Sequence, residues 1–307
     1  MLRSLPGGSM DGRPSATAEL IALGTVFLSR DPRLGRFVPE RSSAISALLL
    51  SGSAPGKLAL IRLAARPRLR GVVEAIESAV LPGILLHYSL RKRFIEESAR
   101  SFLERGGKQL VVLGAGFDTL AARIAEESPE VVCVEVDHPA TQETKRRVLN
   151  ARTTTAVRFV PADLAAGALG DALGTVPGFS RGRPTFFVLE GVSMYLHEAS
   201  VARILGDCAH LGGPGTRMAW TFMSPDARGR IAFRRSRAGV VDSWLQARGE
   251  PFTWGISPER LEPFLRPLGL RVIRVADAGT FRERYLEPER IESTLAEGEE
   301  CALCETT

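Results

Sequence analysis

The run Gln109-Leu110-Val111-Val112-Leu113, closed by Gly114-Ala115-Gly116, constrains the fold more than any other feature of this chain. It is short, apolar and β-branched, so it reads as a strand buried on both faces. The glycines let the backbone turn at once into a helix over about 118–127. The unit then recurs. Residues 131–137 form a second strand, and Pro139 opens a helix where a missing N–H costs nothing. Further strands lie at 157–160, 185–190, 218–222 and 270–275, with a short seventh at 300–304. Between them, apolar residues return at helical spacing: Val201, Ile204, Leu205 and Cys208 in one stretch, Leu261, Phe264, Leu265 and Leu268 in another. Ser257-Pro258 starts the latter helix and Gly269 stops it. Strands apolar throughout and alternating with helices predict an α/β fold, a doubly wound, mostly parallel sheet of seven strands.

Upstream the pattern is purely helical. Residues 1–15, rich in Gly, Pro and Ser, read as a flexible leader. Apolar positions at helical spacing over about 17–27, 42–50 and 85–105, the last stopped by Gly106-Gly107, make 16–107 an N-terminal helical region. Residues 108–307 form the sheet domain, with an insert at about 224–255 before the sixth strand. At 44% hydrophobic and 24% charged, the chain of 307 residues is globular. No apolar run approaches the ~20 residues of a membrane span, and the first residues carry no secretory core, so a soluble, cytoplasmic protein without a membrane partner is expected. The net charge is +5, and lysine occurs only at 57, 92, 108 and 145. The arginine-rich stretches 66–70, 91–93 and 228–237 lack interleaved aromatics and have acids close by. They read as solvated helix faces, with no nucleic-acid partner expected. Cys301 and Cys304 have no second pair to complete a zinc site, and a structural role for them, with no metal, is expected.

In an open α/β sheet, ligands sit beyond the carboxyl ends of the strands. Those ends carry Gly114 to Asp118, Asp137-His138, Asp163-Leu164 and Glu190 to Tyr195. One acid after a strand is ordinarily a cap or turn former; three at successive strand ends point to a ligand cleft. The turn has two glycines of the dinucleotide fingerprint, but Thr119 stands at the third and Asp118 would repel a pyrophosphate. Asp137, 21 positions beyond Gly116, can accept hydrogen bonds from ribose hydroxyls and would serve NAD equally well. Together these features tilt toward a nucleoside ligand without phosphates, S-adenosyl-L-methionine.

The segments LGAGFDT (113–119), VEVDHPATQ (134–142) and KRRVL (145–149) resemble the leucine carboxyl methyltransferase family, S-adenosylmethionine-dependent O-methyltransferases. Ala162-Asp163-Leu164, Leu189 to Leu196 (LEGVSMYL) and Tyr88 to Arg93 (YSLRKR) extend the match. The resemblance implies a Rossmann-like methyltransferase sheet and a set of roles. Gly114 and Gly116 would let the backbone approach the methionine moiety, and Arg91 would pair with its carboxylate. Asp137 would hold the ribose, Asp163 and Leu164 the adenine, and Glu190 would lie near the amino group and sulfonium. Arg91 has a plainer reading as a solvated helix cation, and Glu190 as a helix-start acid. The lysine that eukaryotic members place in the first helix is absent from 19–22, where Arg30 or Arg13 are the substitutes in reach.

Methyl transfer is an in-line displacement, and a carboxylate acceptor, already ionised, needs no general base. That fits the lack of an evident acid–base constellation and makes a small-molecule carboxylate the expected acceptor, with natural-product biosynthesis a possible setting. A hydroxyl acceptor would need a base. His197, at a helix start, and Tyr195, as an orienting group, are the catalytic candidates, while His138 reads as a turn residue. The pocket is expected between the N-terminal helices and the insert, whose Arg228, Arg230, Arg234, Arg235 and Arg237 would meet an anionic acceptor unless solvated. Trp244 and Trp254 would supply an apolar wall or core. The rivals are an NAD(P)-dependent oxidoreductase, disfavoured by Asp118, Thr119 and the lack of a Tyr-x-x-x-Lys pair, and a non-catalytic cofactor-binding module. A serine hydrolase fails because Gly191-Val192-Ser193-Met194-Tyr195 lacks the second glycine of a nucleophile elbow.

Overall fold

A computed structural model describes residues 15–150, 156–167 and 169–307. Apart from Ser15, the leader expected at 1–15 lies outside them, as does Arg13. Among the described residues five α-helices precede the sheet: α1 (Ala16–Leu28), α2 (Ser42–Ser53), α3 (Pro55–Ala64), α4 (Pro67–Val80) and α5 (Ile84–Glu104). The chain then runs through β1 (Gln109–Leu113), α6 (Leu120–Glu127), β2 (Val132–Asp137), α7 (Pro139–Asn150), β3 (Arg158–Pro161) and α8 (Leu169–Gly174). It continues through β4 (Phe186–Leu189), α9 (Glu198–Gly212), β5 (Arg217–Met223) and α10 (Ala238–Gln246). It ends with α11 (Pro258–Leu265), β6 (Leu270–Ala276), α12 (Ala278–Phe281) and β7 (Glu299–Thr306). No described helix is long and apolar enough to cross a membrane.

The seven strands lie in the order β3-β2-β1-β4-β5-β7-β6, parallel except for β7. β7 slips between β5 and β6 and runs against both. The chain leaves β6 at the carboxyl edge, folds α12 there, and re-enters from the same edge, so no crossover helix is needed. The order reverses between β1 and β4, where Leu113 is in register with Val136 on one side and Leu189 on the other.

Alternation along β1 divides the core. Leu110 and Val112 face the layer of α1, α2, α5 and α6, while Val111 and Leu113 face α8, α9 and α11. All five residues of the strand are buried, the two-sided burial that its unbroken apolar run predicts. Cys301 and Cys304 are buried in β7, and burial pushes the Cys304 thiol up to about 12. Trp254 joins the second core beside Trp220, while Trp244 lies under the Arg248 guanidinium.

Candidate functional site

A cavity of about 460 Å³ opens where the strand order reverses, at the carboxyl ends of β1, β2 and β4. Its floor includes Gly114 to Thr119, Asp137, His138, Asp163, Leu164 and Glu190 to Val192. Its cover is α1 together with 249–251 and Thr253. Thus the strand-end acids expected to share a cleft do share one.

The glycine turn is closely fitted. Gly114 and Gly116 both have positive φ, +64° and +45°. A Cβ at 114 would stand 2.4 Å from a Val192 methyl, and one at 116 would stand 3.1 Å from Ala18 of α1. Asp137 fastens this turn: its Oδ2 accepts from the Gly116 N–H at 2.8 Å and its Oδ1 from the His138 N–H at 2.7 Å. Burial nevertheless raises its carboxyl above the usual range against those two bonds. Asp163 is exposed, its Oδ1 accepting from the Ala165 N–H at 2.8 Å, and Leu164 is half-buried.

In the cavity wall α5 supplies two adjacent cations. Arg91 is 2% exposed. Its Nε donates to Glu190 at 3.0 Å and its Nη1 to Glu299 of β7 at 2.6 Å. The fork expected to receive a ligand carboxylate is therefore committed within the protein. Lys92 is the more exposed of the two, with Nζ 2.6 Å from Asp118 and 3.1 Å from Glu190. An ammonium has three N–H donors, so one remains. Asp118 is likewise not a bare charge aimed at an anion. Burial raises its carboxyl, but Lys92 and Lys145 outweigh that and hold it well below its ordinary value, and its Oδ1 accepts from the Leu120 N–H at 2.7 Å where α6 begins. The expected repulsion of a phosphate by Asp118 is thus largely cancelled by Lys92.

Beneath the turn, Lys145 of α7 reaches Glu135 of β2 at 2.6 Å and donates to the Asp118 carbonyl at 2.6 Å. Burial, aided by Asp118 and Asp137, outweighs Lys145 and pushes the Glu135 carboxyl up to about 7.

The two catalytic candidates part company. Tyr195 lines the cavity, and burial and the nearby Glu250 charge raise its hydroxyl, keeping it a protonated donor. His197 is the exposed residue preceding α9, and the lining on that segment ends at Leu196. Arg30 is also exposed, donating to the Arg62 carbonyl at 3.3 Å, and is not part of the lining. The arginines at 228, 230, 234, 235 and 237 are all exposed and none lines the cavity. Sequence reasoning missed Lys92 as a cavity residue and Glu250 altogether. Glu250 comes after α10 and accepts from Ser15 Oγ at 2.9 Å and from Thr17 Oγ1.

A family model described as leucine carboxyl methyltransferase matches residues 27–209. Among curated relatives, the protein YktD of Bacillus subtilis (strain 168), provisionally named an S-adenosyl-L-methionine-dependent methyltransferase, is 30% identical over 188 residues, 59% of this chain and 60% of its own. A similarly named protein of Mycobacterium marinum is 29% identical over 237 residues, 71% of this chain and 70% of its own. The chain spans between half and two-thirds of the length of the first of these relatives. A crystal structure from Thermobifida fusca YX, provisionally titled a methyltransferase, superposes with a TM-score of 0.55 at 17% identity over 90% of this chain and 98% of its own. That likeness concerns the fold.

Proposed function

Because the chain belongs to the leucine carboxyl methyltransferase family, we propose that it binds S-adenosylmethionine in the cavity and transfers the methyl group to an oxygen of a small-molecule acceptor. The observation that carries this reading is the set of acids at adjacent strand ends, Asp137, Asp163 and Glu190, around a turn whose two glycines have positive φ and where a Cβ would crowd Val192 and Ala18. Such a turn brings backbone against a ligand, and the acids suit a ligand rich in hydroxyl, amine and sulfonium groups. When bound, the cofactor supplies an electrophilic methyl on sulfur. The protein's own part is to hold and orient.

In this reading Asp137 accepts from the ribose hydroxyls, Asp163 from the adenine amine with Leu164 against the ring, and Glu190 faces the amino group. Lys92, with its remaining N–H, takes the methionine carboxylate; Arg91 acts behind it by fixing Glu190. Helices within 16–107 form the cover, and 108–307 the catalytic domain with its insert at about 224–255. The carboxylate acceptor expected from the sequence has less support, since no insert arginine reaches the cavity.

Calorimetry tests the cofactor directly. S-adenosylhomocysteine should bind and NADH should not; binding of NADH alone would replace this reading with the oxidoreductase one. Lys92→Met should weaken S-adenosylhomocysteine about 10- to 100-fold, the worth of one charge-assisted contact. It should leave 5′-methylthioadenosine, which lacks the amino-acid tail, unchanged. Equal losses for both ligands would make Lys92 a structural residue only.

A further inference from the structure

We propose that the acceptor is a neutral hydroxyl compound rather than a carboxylate, and that Glu250 takes the hydroxyl proton; this rests on the cofactor reading above. The charge of the cavity wall is the first argument. Among the described residues lining it, the cations are Arg91 and Lys92, against the carboxylates of Asp118, Asp137, Asp163, Glu190 and Glu250. Both cations already face carboxylates, and the proposed cofactor tail takes the one ammonium N–H left over. An anionic acceptor would lose its hydration and meet no unpaired side-chain cation, only the cofactor's sulfonium, against five wall carboxylates. A neutral hydroxyl has no such difficulty.

The second argument is the chemistry of the cover. A hydroxyl must lose its proton as it attacks, so a base has to stand on the acceptor's side. Tyr195 is held protonated. His138 flanks Asp137 at the ribose end, and His197 is turned to solvent. Glu250 stands in the cover, its carboxylate accepting from Thr17 and its charge felt at Tyr195. Ser15 and Thr17 each donate to a different oxygen of its carboxylate. This orients the group, and each oxygen keeps a second lone pair for a ligand donor. The step balances without any further reagent. The acceptor oxygen forms the new O–CH₃ bond, the C–S bond breaks with its electron pair returning to sulfur, and the hydroxyl proton passes to Glu250.

The test offers the protein labelled S-adenosylmethionine with matched probes: phenol, catechol, 2-naphthol and benzyl alcohol against benzoate and 2-naphthoate. Label should enter alkali-stable ethers from the hydroxyl set and stay out of the carboxylates. Alkali-labile ester label would overturn the proposal, as would a hydroxyl set left wholly unlabelled by protein that binds S-adenosylhomocysteine. Glu250→Gln keeps an acceptor oxygen for Ser15 and Thr17 but is no base. It should lower kcat about 100-fold with S-adenosylhomocysteine affinity within about twofold of the parent. Unchanged kcat, or an affinity loss as large as the loss in kcat, would reduce Glu250 to a tie between α1 and the insert. Failure of the unmodified protein to bind S-adenosylhomocysteine would instead strike the cofactor reading, and this inference with it.

Discussion

Arg91→Met should destabilise the fold by about 3–5 kcal/mol, the range for removing one partner of a buried ion pair, read as a lowered urea midpoint at neutral pH. The side chain is buried, and so are the carboxylates on either side of it, Glu190 and Glu299. Methionine fills much of the volume but leaves Glu299 without its cation and Glu190 with Lys92 alone. The pH dependence gives a second reading. Burial pushes the Glu299 carboxyl up, but Arg91, helped by His87 with Nε2 at 3.4 Å, outweighs it and holds the group at about 2. A depressed carboxyl contributes stability that is complete above its unfolded value near 4.5 and is lost as the pH falls toward 2. The parent protein should therefore lose stability through that window. The variant, lacking the attraction, should show a much flatter acid limb. A midpoint within about 1 kcal/mol of the parent together with the same acid limb would mean that Arg91 does not balance these charges.

That role for Arg91 shows where sequence reading stops. The strands, the glycine turn and the acids at the strand ends were legible because each is decided within a few residues: an unbroken apolar run is buried on both faces, and the residues just past its end stand at the edge of the sheet. Arg91 sits beside Lys92 and Arg93 in one polar stretch of α5. Its partners lie 99 and 208 positions away, and nothing local distinguishes it from its neighbours. The Thr17–Glu250 contact, 233 positions apart, is hidden in the same way. Periodicity also misleads when no core stands behind it. In α4, Leu69, Val72 and Ile76 return at helical spacing, yet no residue of that helix is buried. The reversal of β7 left no mark either, since an inner strand reads as apolar in both directions.

Asp137→Ala should reduce S-adenosylhomocysteine affinity at least about 100-fold by calorimetry, the loss expected for two hydrogen bonds from ribose hydroxyls to one carboxylate. It should also cost about 1–3 kcal/mol of stability, because the same carboxylate accepts from the Gly116 and His138 N–H groups. The two effects separate through Asp137→Asn. The amide keeps an acceptor oxygen for one of the two N–H groups and turns an NH₂ on the other, so stability should recover only in part, while affinity stays well below that of the parent, since a neutral oxygen accepts more weakly than a charged one. Proton linkage adds a direction. Burial raises the Asp137 carboxyl, so the ligand-free cleft favours the protonated form more than water does. Two donated hydroxyls favour the ionised form, and affinity should therefore climb as the pH rises through that elevated value, with no such climb in Asp137→Asn. An Asp137→Ala protein that binds within about threefold of the parent would detach the ribose from this residue. The glycine turn would then be the whole of what Asp137 holds.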